Sequence, residues 1–202
     1  MLVGDESYAT QWGGATIGID GVTQIPSFSG TQLGPTNTVT FENDFYYSMR
    51  VVDTEGQPHP GIGMSLAVMK TSAPPVTISR TGQAPEYPTS SDPITVSMTT
   101  NQLKSVEERV YLRWSNDWFI TSHIIEASLG GDGLTYTATI PPQPDGNSCF
   151  YTVLTSTADL TGYTGSGIID ELTLAVNGIF NALPTPPTPH AVSSPPRGRR
   201  VR

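Results

Sequence analysis

Apolar and polar residues alternate with a period of two through the middle of the chain, from residue 107 to residue 157. This alternation is typical of β-strands with one buried face, because successive side chains point to opposite faces of a sheet. It predicts four strands, the second over residues 119–127. Each of the others carries three apolar residues on one face: Val110, Leu112 and Trp114; Tyr136, Ala138 and Ile140; and Cys149, Tyr151 and Val153. The faces with Trp114 and Cys149 are predicted to point inward.

Turn chemistry separates these four strands. Asn116 and Asp117 follow the first, the run GGDG at residues 130–133 follows the second, and PPQPDG at residues 141–146 follows the third. Glycine and aspartate favour tight turns, and proline cannot donate to a strand ladder. Short strands with turns about 8–12 residues apart predict an all-β fold, an antiparallel β-sandwich.

These residues resemble the immunoglobulin-like (fibronectin-III-like) modules of secreted bacterial surface proteins and polysaccharide-degrading enzymes. The resemblance covers roughly residues 75–177 and lies in the runs SVEERVYLRWSNDWF, TSHII, GDGLTYTATIPPQPDG and FYTVLTST. It implies an immunoglobulin-like sandwich. Two positions depart from the pattern: Trp118 occupies a turn position that is usually small or polar, and Cys149 stands where a core valine is common.

Four segments are predicted along the chain. Residues 1–80 form an N-terminal β-sandwich unit, with strands expected near residues 15–19, 38–41, 45–52 and 62–69 and a loop at 53–61. Residues 81–93 are a linker, and three prolines between positions 80 and 93 argue against an ordered strand there. Residues 94–183 form the immunoglobulin-like sandwich, and residues 184–202 a basic, Pro-rich extended tail.

The stretch at residues 166–180 fits two secondary structures. Ile168, Ile169, Leu172 and Ile179 recur at helical spacing, with Ser166 as a helix cap, whereas Leu172, Leu174 and Val176 alternate as in a strand. The resemblance favours strands, with a closing strand at residues 179–183.

Charge is distributed unevenly. All 18 acidic residues precede position 184 and only six of the ten basic residues do, so the body is strongly acidic. A nucleic acid is therefore not expected as a partner, because phosphate binding needs a concentrated cationic surface. No apolar run approaches the roughly 20 residues of a membrane-spanning helix, so no membrane insertion is expected. The four remaining bases, Arg197, Arg199, Arg200 and Arg202, lie in the tail.

The single cysteine, Cys149, excludes an internal disulfide and is expected in the core. Strand faces rich in serine and threonine indicate an extracellular or cell-surface protein, although the start MLVGDESYAT has neither the basic nor the apolar part of a signal peptide. A leader has been removed, or the chain is exported in another way.

No catalytic constellation is found in the sequence. His59, His123 and His190 share no metal-ligand spacing. Glu107 and Glu108 are adjacent on an extended segment and are expected to face opposite ways, unlike a glycosidase pair. No spaced acidic loop suggests calcium. We therefore expect no enzyme, no cofactor and no metal.

The candidate binding residues are aromatic. Trp114 is expected in the core, whereas Trp118 in its turn either stacks on a ligand or folds over the hairpin. Trp12, Tyr8 and Tyr46 are candidates to join Trp118 in one platform.

Two functions follow. The first is a structural or adhesive protein that assembles with itself or with other surface proteins through sheet edges and the tail, whose four arginines dock on an acidic neighbour. The second is a carbohydrate-binding accessory module of a polysaccharide-active system.

Overall fold

The computed structural model describes residues 3–4, 10–25, 27–29, 36–53, 64–161 and 190–191, and these residues form strands and no helix. The prediction of an all-β fold is confirmed for these residues. The strands are β1 (Val3–Gly4), β2 (Thr10–Trp12), β3 (Gly21–Ile25), β4 (Ser27–Ser29), β5 (Tyr46–Asp53), β6 (Met64–Thr71), β7 (Ile78–Ala84), β8 (Ile94–Thr100), β9 (Arg109–Ser115), β10 (His123–Glu126), β11 (Ser128–Leu129), β12 (Thr135–Ile140), β13 (Ser148–Ser156) and β14 (His190–Ala191).

Two four-stranded antiparallel sheets contain most of the predicted central strands. One has the order β11-β12-β8-β7 and the other the order β10-β9-β13-β14. One hydrophobic core joins the two sheets, and Trp114, Tyr136 and Cys149 all belong to it. The predicted inward faces of β9 and β13 are therefore confirmed, as is the placement of Trp114 and Cys149 in the core, and the β12 face with Tyr136, Ala138 and Ile140 also points inward.

The other face of β9 and β13 is buried as well. There Tyr111 and Leu154 pack against Ala67 and Met69 of β6, with Leu160 in the same cluster. The Tyr111 hydroxyl donates to the Ala158 carbonyl (3.1 Å) and accepts from the Leu160 amide (3.2 Å). From Val110 to Ser115, both faces of β9 are therefore buried, and the outward face carries Tyr111, Arg113 and Ser115.

Strand β6 is the centre of a third sheet, of order β3-β6-β5. Its alternate residues Leu66 and Val68 face away from Tyr111 and form another core cluster with Ala15, Ile17 and Ile25. The β3-β6-β5 sheet therefore packs on the outer face of the β10-β9-β13-β14 sheet. β1, β2 and β4 form a further three-stranded sheet.

Adjacent carboxylates hold the connection between β6 and β7. Glu107 Oε2 accepts from the Ser72 amide (3.3 Å) and hydroxyl (2.8 Å). Glu108 is fully buried and accepts from the Val76 amide (3.4 Å) and the Thr155 hydroxyl (2.6 Å). Burial raises the pKa of Glu108, whereas the hydrogen bond from the Ser72 hydroxyl lowers the pKa of Glu107. The two groups act on different partners, as structural anchors.

Some strand predictions were wrong. Residues 80–84 belong to β7, because the residues that precede the first proline pair with β8 around a bulge between Arg80 and Gly82. Residues 15–19 and 38–41 form only an isolated bridge between Thr16 and Thr38. Strand β10 starts at His123 rather than at residue 119, since a tight loop occupies residues 116–122.

Several predictions fall outside the described residues. They are residues 54–61 of the loop predicted at 53–61, with His59, the helix-or-strand stretch at 166–180, the closing strand at 179–183, and the tail apart from His190–Ala191. The boundary between two units at residues 81–93 stays a prediction.

Candidate binding surface

The loop at residues 116–122 leaves the end of β9 and is fixed by its own hydrogen bonds. The buried Ser115 hydroxyl donates to Asp117 Oδ1 (2.6 Å) and accepts from the amides of Asp117 (3.0 Å) and Phe119 (2.9 Å). Asp117 in turn accepts from the Thr121 amide at Oδ1 (2.9 Å) and from the Thr121 hydroxyl at Oδ2 (2.6 Å). These bonds close the loop into one rigid turn.

Two consecutive bulky residues in this loop have left-handed backbone conformations. Trp118 has φ of 60° and Phe119 has φ of 66°. Residues other than glycine rarely adopt this left-handed backbone conformation, which costs about 1–3 kcal/mol each, and such residues concentrate at functional sites. The hydrogen bonds of Ser115 and Asp117 offset this cost. The strained pair turns the loop so that its apolar side chains project from the end of the sheet.

The loop exposes two large apolar side chains, Trp118 at 68% and Ile120 at 81% of their surface. The indole ring of Trp118 packs on the ring of the buried Phe150, with centroids 4.0 Å apart and planes tilted by 35°. One face of the Trp118 ring therefore packs on Phe150, and the other face is exposed. Trp118 thus covers part of the sheet and is otherwise exposed, and its stacking on a ligand stays a prediction.

A buried cation supports the neighbouring ring. The guanidinium carbon of Arg113 lies 4.4 Å from the ring centroid of Phe119, and Arg113 Nε donates to the Ser122 hydroxyl (3.0 Å). A cation over an aromatic face contributes about 0.5–2 kcal/mol, more where both are shielded from water. Arg113 thus anchors the second half of the loop, as Phe150 anchors the first.

The pKa of Asp117 reflects the hydrogen bonds that hold the loop. Hydrogen bonds from Ser115 and Thr121 lower the pKa of its carboxyl group to about 2, because they stabilise the charged form. The carboxylate is therefore ionised throughout the physiological range.

The tail strand β14 and this loop both contact the start of β13. Its residues His190 and Ala191 pair with Cys149 and Ser148 at the start of β13, and the Asn116 side chain donates to the Ser148 carbonyl (2.9 Å). Phe150, which supports Trp118, is the next residue of β13. The structure thus brings part of the predicted tail next to the predicted Trp118 site.

The other candidate binding residues do not join Trp118. Tyr46 is exposed at the start of β5 and pairs with Thr71, next to Ser72, which bonds to Glu107 just before β9. Trp118 follows the opposite end of β9, and seven extended residues span about 23 Å. Trp12 lies in β2, and the structure does not describe its side chain. The remaining candidates lie outside the described residues: Tyr8, Arg197, Arg199, Arg200 and Arg202.

Sequence reasoning missed the partners of Trp118. Ile120 fell within the β-branched run interpreted as a strand, and Phe150 was interpreted only as part of an alternating strand. The one local signal was the pairing of Asn116 and Asp117 with nearby serine and threonine, which favours side-chain-capped turns.

Two potentially reactive side chains of the described residues, Cys149 and His123, make packing contacts. Burial raises the pKa of the Cys149 thiol to about 11, so its nucleophilic thiolate form is scarce at neutral pH. The His123 ring stacks on Trp114, 4.3 Å away. Among the residues that the structure describes, no group of three or more histidine, cysteine, aspartate or glutamate side chains is arranged to hold a metal ion.

A helix long and apolar enough to cross a membrane was not found in the described part of the chain. Comparisons of the chain with protein-family models, with curated proteins and with solved structures each gave no match.

Proposed function

We propose that this chain is a non-catalytic structural or adhesive protein of the cell exterior, which assembles with copies of itself or with other surface proteins through the loop at residues 116–122. The observation that carries the proposal is the exposure of Trp118 and Ile120 on a loop held rigid by Asp117. A preorganised apolar anchor loses little conformational entropy on binding, so most of its burial adds to affinity.

The chemistry around the indole favours a protein partner over a sugar. Sugar recognition needs polar groups next to the stacking ring, to pair with hydroxyls. The polar groups of this loop already bond to one another: Ser115 with Asp117 and Phe119, and Asp117 with Thr121. Beside Trp118 the loop also exposes the aliphatic side chain of Ile120, which suits an apolar protein surface.

The fold proposed for residues 78–161 with β14 is an immunoglobulin-like sandwich. Supporting it, the order β7-β8-β12-β11 corresponds to the A-B-E-D sheet of such domains, and β9-β13-β14 corresponds to their C-F-G sheet. Trp114 lies on the strand that corresponds to strand C, where immunoglobulin domains bury a tryptophan. Sandwiches of this kind are frequent in cell-surface proteins, and the exposed threonines Thr137 and Thr139 suit an extracellular setting.

Charge supports assembly between copies. The four tail arginines, Arg197, Arg199, Arg200 and Arg202, are proposed to dock on the acidic body of a neighbour, because all 18 acidic residues precede the tail. Such contacts are screened by salt, so the assembly is expected to weaken as ionic strength rises.

Carbohydrate binding is the second candidate, and the open face of the Trp118 ring is the observation that favours it. An indole supported from below by Phe150 is a stable platform for one sugar ring. This function requires Trp118 and no contribution from Ile120, which separates the two proposals.

The test compares two charge substitutions at exposed apolar positions. Ile120→Asp is expected to weaken self-association by about 30-fold or more, the effect of losing a hot-spot contact of about 2 kcal/mol. Val106→Asp, at a position 88% exposed outside the loop, is the matched control and should leave association unchanged. Association is measured by sedimentation equilibrium.

Equal effects of the two substitutions would contradict the assigned surface. Trp118→Ala is made in parallel and screened on a glycan array together with the unmodified protein. Glycan binding that is lost with Trp118→Ala and kept with Ile120→Asp would replace assembly with carbohydrate recognition.

A further inference from the structure

Within the described part of the chain, strand β14 pairs with the sheet at two positions. His190 lies opposite Cys149 and Ala191 lies opposite Ser148. Backbone pairing at a sheet edge does not depend on which copy of a sequence supplies the added strand. Any copy of this chain can therefore offer the same two residues to the same edge.

The position of this edge favours exchange. The start of β13 contacts the exposed loop at two points, through the Asn116 bond to the Ser148 carbonyl and through Phe150, on which Trp118 packs. A second copy that docks on Trp118 and Ile120 therefore comes within reach of the edge that β14 occupies. The apolar contact and the strand addition would reinforce each other.

The chain geometry allows the transfer. β14 runs antiparallel to β13, so its carboxyl end at Ala191 points toward the turn at residues 144–147, at the end of the molecule where the loop lies. Twenty-eight residues, 162–189, connect Thr161 to His190. A connection of that length reaches about 90 Å when extended, more than the width of a domain of this size.

We propose that in the assembly the segment His190–Ala191 of one copy pairs with Ser148 and Cys149 of its neighbour, so that the partner is a second copy of this chain and the contact is an exchanged edge strand. This inference rests on the proposed assembly function. Exchange of an identical element is a low-cost way to join protomers, because it reuses pairing already present in one chain.

The single native cysteine provides the test. Directly opposed residues of an antiparallel pair have Cα atoms about 4.5–5.5 Å apart, within the range that a disulfide spans. His190→Cys therefore places a second thiol opposite Cys149. An added oxidant removes two electrons and two protons from the thiols to form the bond, at about pH 9, because burial raises the pKa of Cys149 to about 11.

Two distinguishable full-length chains are then assembled together. One keeps Cys149 and His190 and carries a mass tag; the other carries Cys149→Ser and His190→Cys, so neither can form an internal disulfide. We expect a covalent heterodimer on a non-reducing gel, in which Cys149 of the tagged chain is linked to the cysteine introduced at position 190 of the other. Ala191→Cys in place of His190→Cys is the control, because position 191 lies opposite Ser148, on the other face, and should give little heterodimer.

Light scattering on the same samples separates the two proposals. Assembled particles without heterodimer would overturn exchange and leave assembly standing. The same conclusion follows if a chain that keeps Cys149 and carries only His190→Cys assembles but forms its disulfide only within itself. A sample that stays monomeric would overturn both. The absence of any disulfide in the His190→Cys chain would also overturn exchange, because position 190 would then not lie opposite Cys149.

Discussion

Tyr111→Ala is expected to lower the free energy of unfolding by about 3–5 kcal/mol, the loss typical of truncating a large buried aromatic side chain. Tyr111 is fully buried between β9 and β6 and packs with Met69, Leu154 and Leu160. Removing its ring opens a cavity where the N-terminal sheet meets the β10-β9-β13-β14 sheet. Its hydroxyl also hydrogen-bonds to the Ala158 carbonyl and the Leu160 amide, and both groups would lose this partner.

Urea unfolding followed by tryptophan fluorescence measures this loss. Tyr111→Phe removes only the hydroxyl and should cost about 1–3 kcal/mol, the penalty of leaving buried polar groups unpaired. Tyr87→Ala, at a side chain 81% exposed, is the control and should change stability by less than about 0.5 kcal/mol. A loss below 1 kcal/mol for Tyr111→Ala would mean that the two sheets do not pack together through this residue.

Asp117→Ala is expected to weaken assembly about 10-fold, because the loop would lose the bonds that hold Trp118 and Ile120 in their projecting conformation. Stability should fall by about 1 kcal/mol, a modest loss because the group is near the surface. The matched control is Asp132→Ala. Asp132 caps the hairpin at residues 130–133 with the same kind of bonds, to the amides of Leu134 and Thr135 and the hydroxyl of Thr135. It should reduce stability and leave assembly unchanged.

The pH dependence of Asp117 has a defined sign. Its pKa is lowered to about 2 in the folded protein, below the ordinary value of 3.8, so the unfolded chain binds the proton more readily. The stabilising contribution is therefore complete above about pH 4 and is lost as pH falls toward 2. Asp117→Asn should flatten the stability profile over that window, measured by urea unfolding at each pH. An unchanged profile, or equal assembly losses for Asp117→Ala and Asp132→Ala, would contradict the role given to this loop.

The central strands were predictable because one local rule governs them. Val110, Leu112 and Trp114 alternate with their neighbours, and one side of β9 faces the core between the two sheets. The burial of Tyr111 on the other side could not be predicted in the same way. It depends on Met69, which lies more than forty residues earlier and meets β9 only through the tertiary fold.

The candidate site was predictable in part, for a related reason. The Asn116-Asp117 turn marked Trp118 as a loop residue. The β-branched run after it, however, favoured a strand through Ile120. In the structure, the hydrogen bonds of Asp117 and Ser115 override that propensity and hold two residues in the left-handed conformation. The run RTGQA at residues 80–84 misled in the opposite sense, because its polar composition hid an edge strand.

The central claim is that the protein assembles, and the most direct measurement is the molar mass of the full-length chain by light scattering, with negative-stain microscopy of the same sample. We predict regular particles several times the 21.6 kDa of one chain. They should dissociate as salt rises and be lost when Arg197, Arg199, Arg200 and Arg202 are replaced with glutamine. A single species of 21.6 kDa at every protein concentration and ionic strength would contradict the account and leave carbohydrate recognition by Trp118 as the function to test.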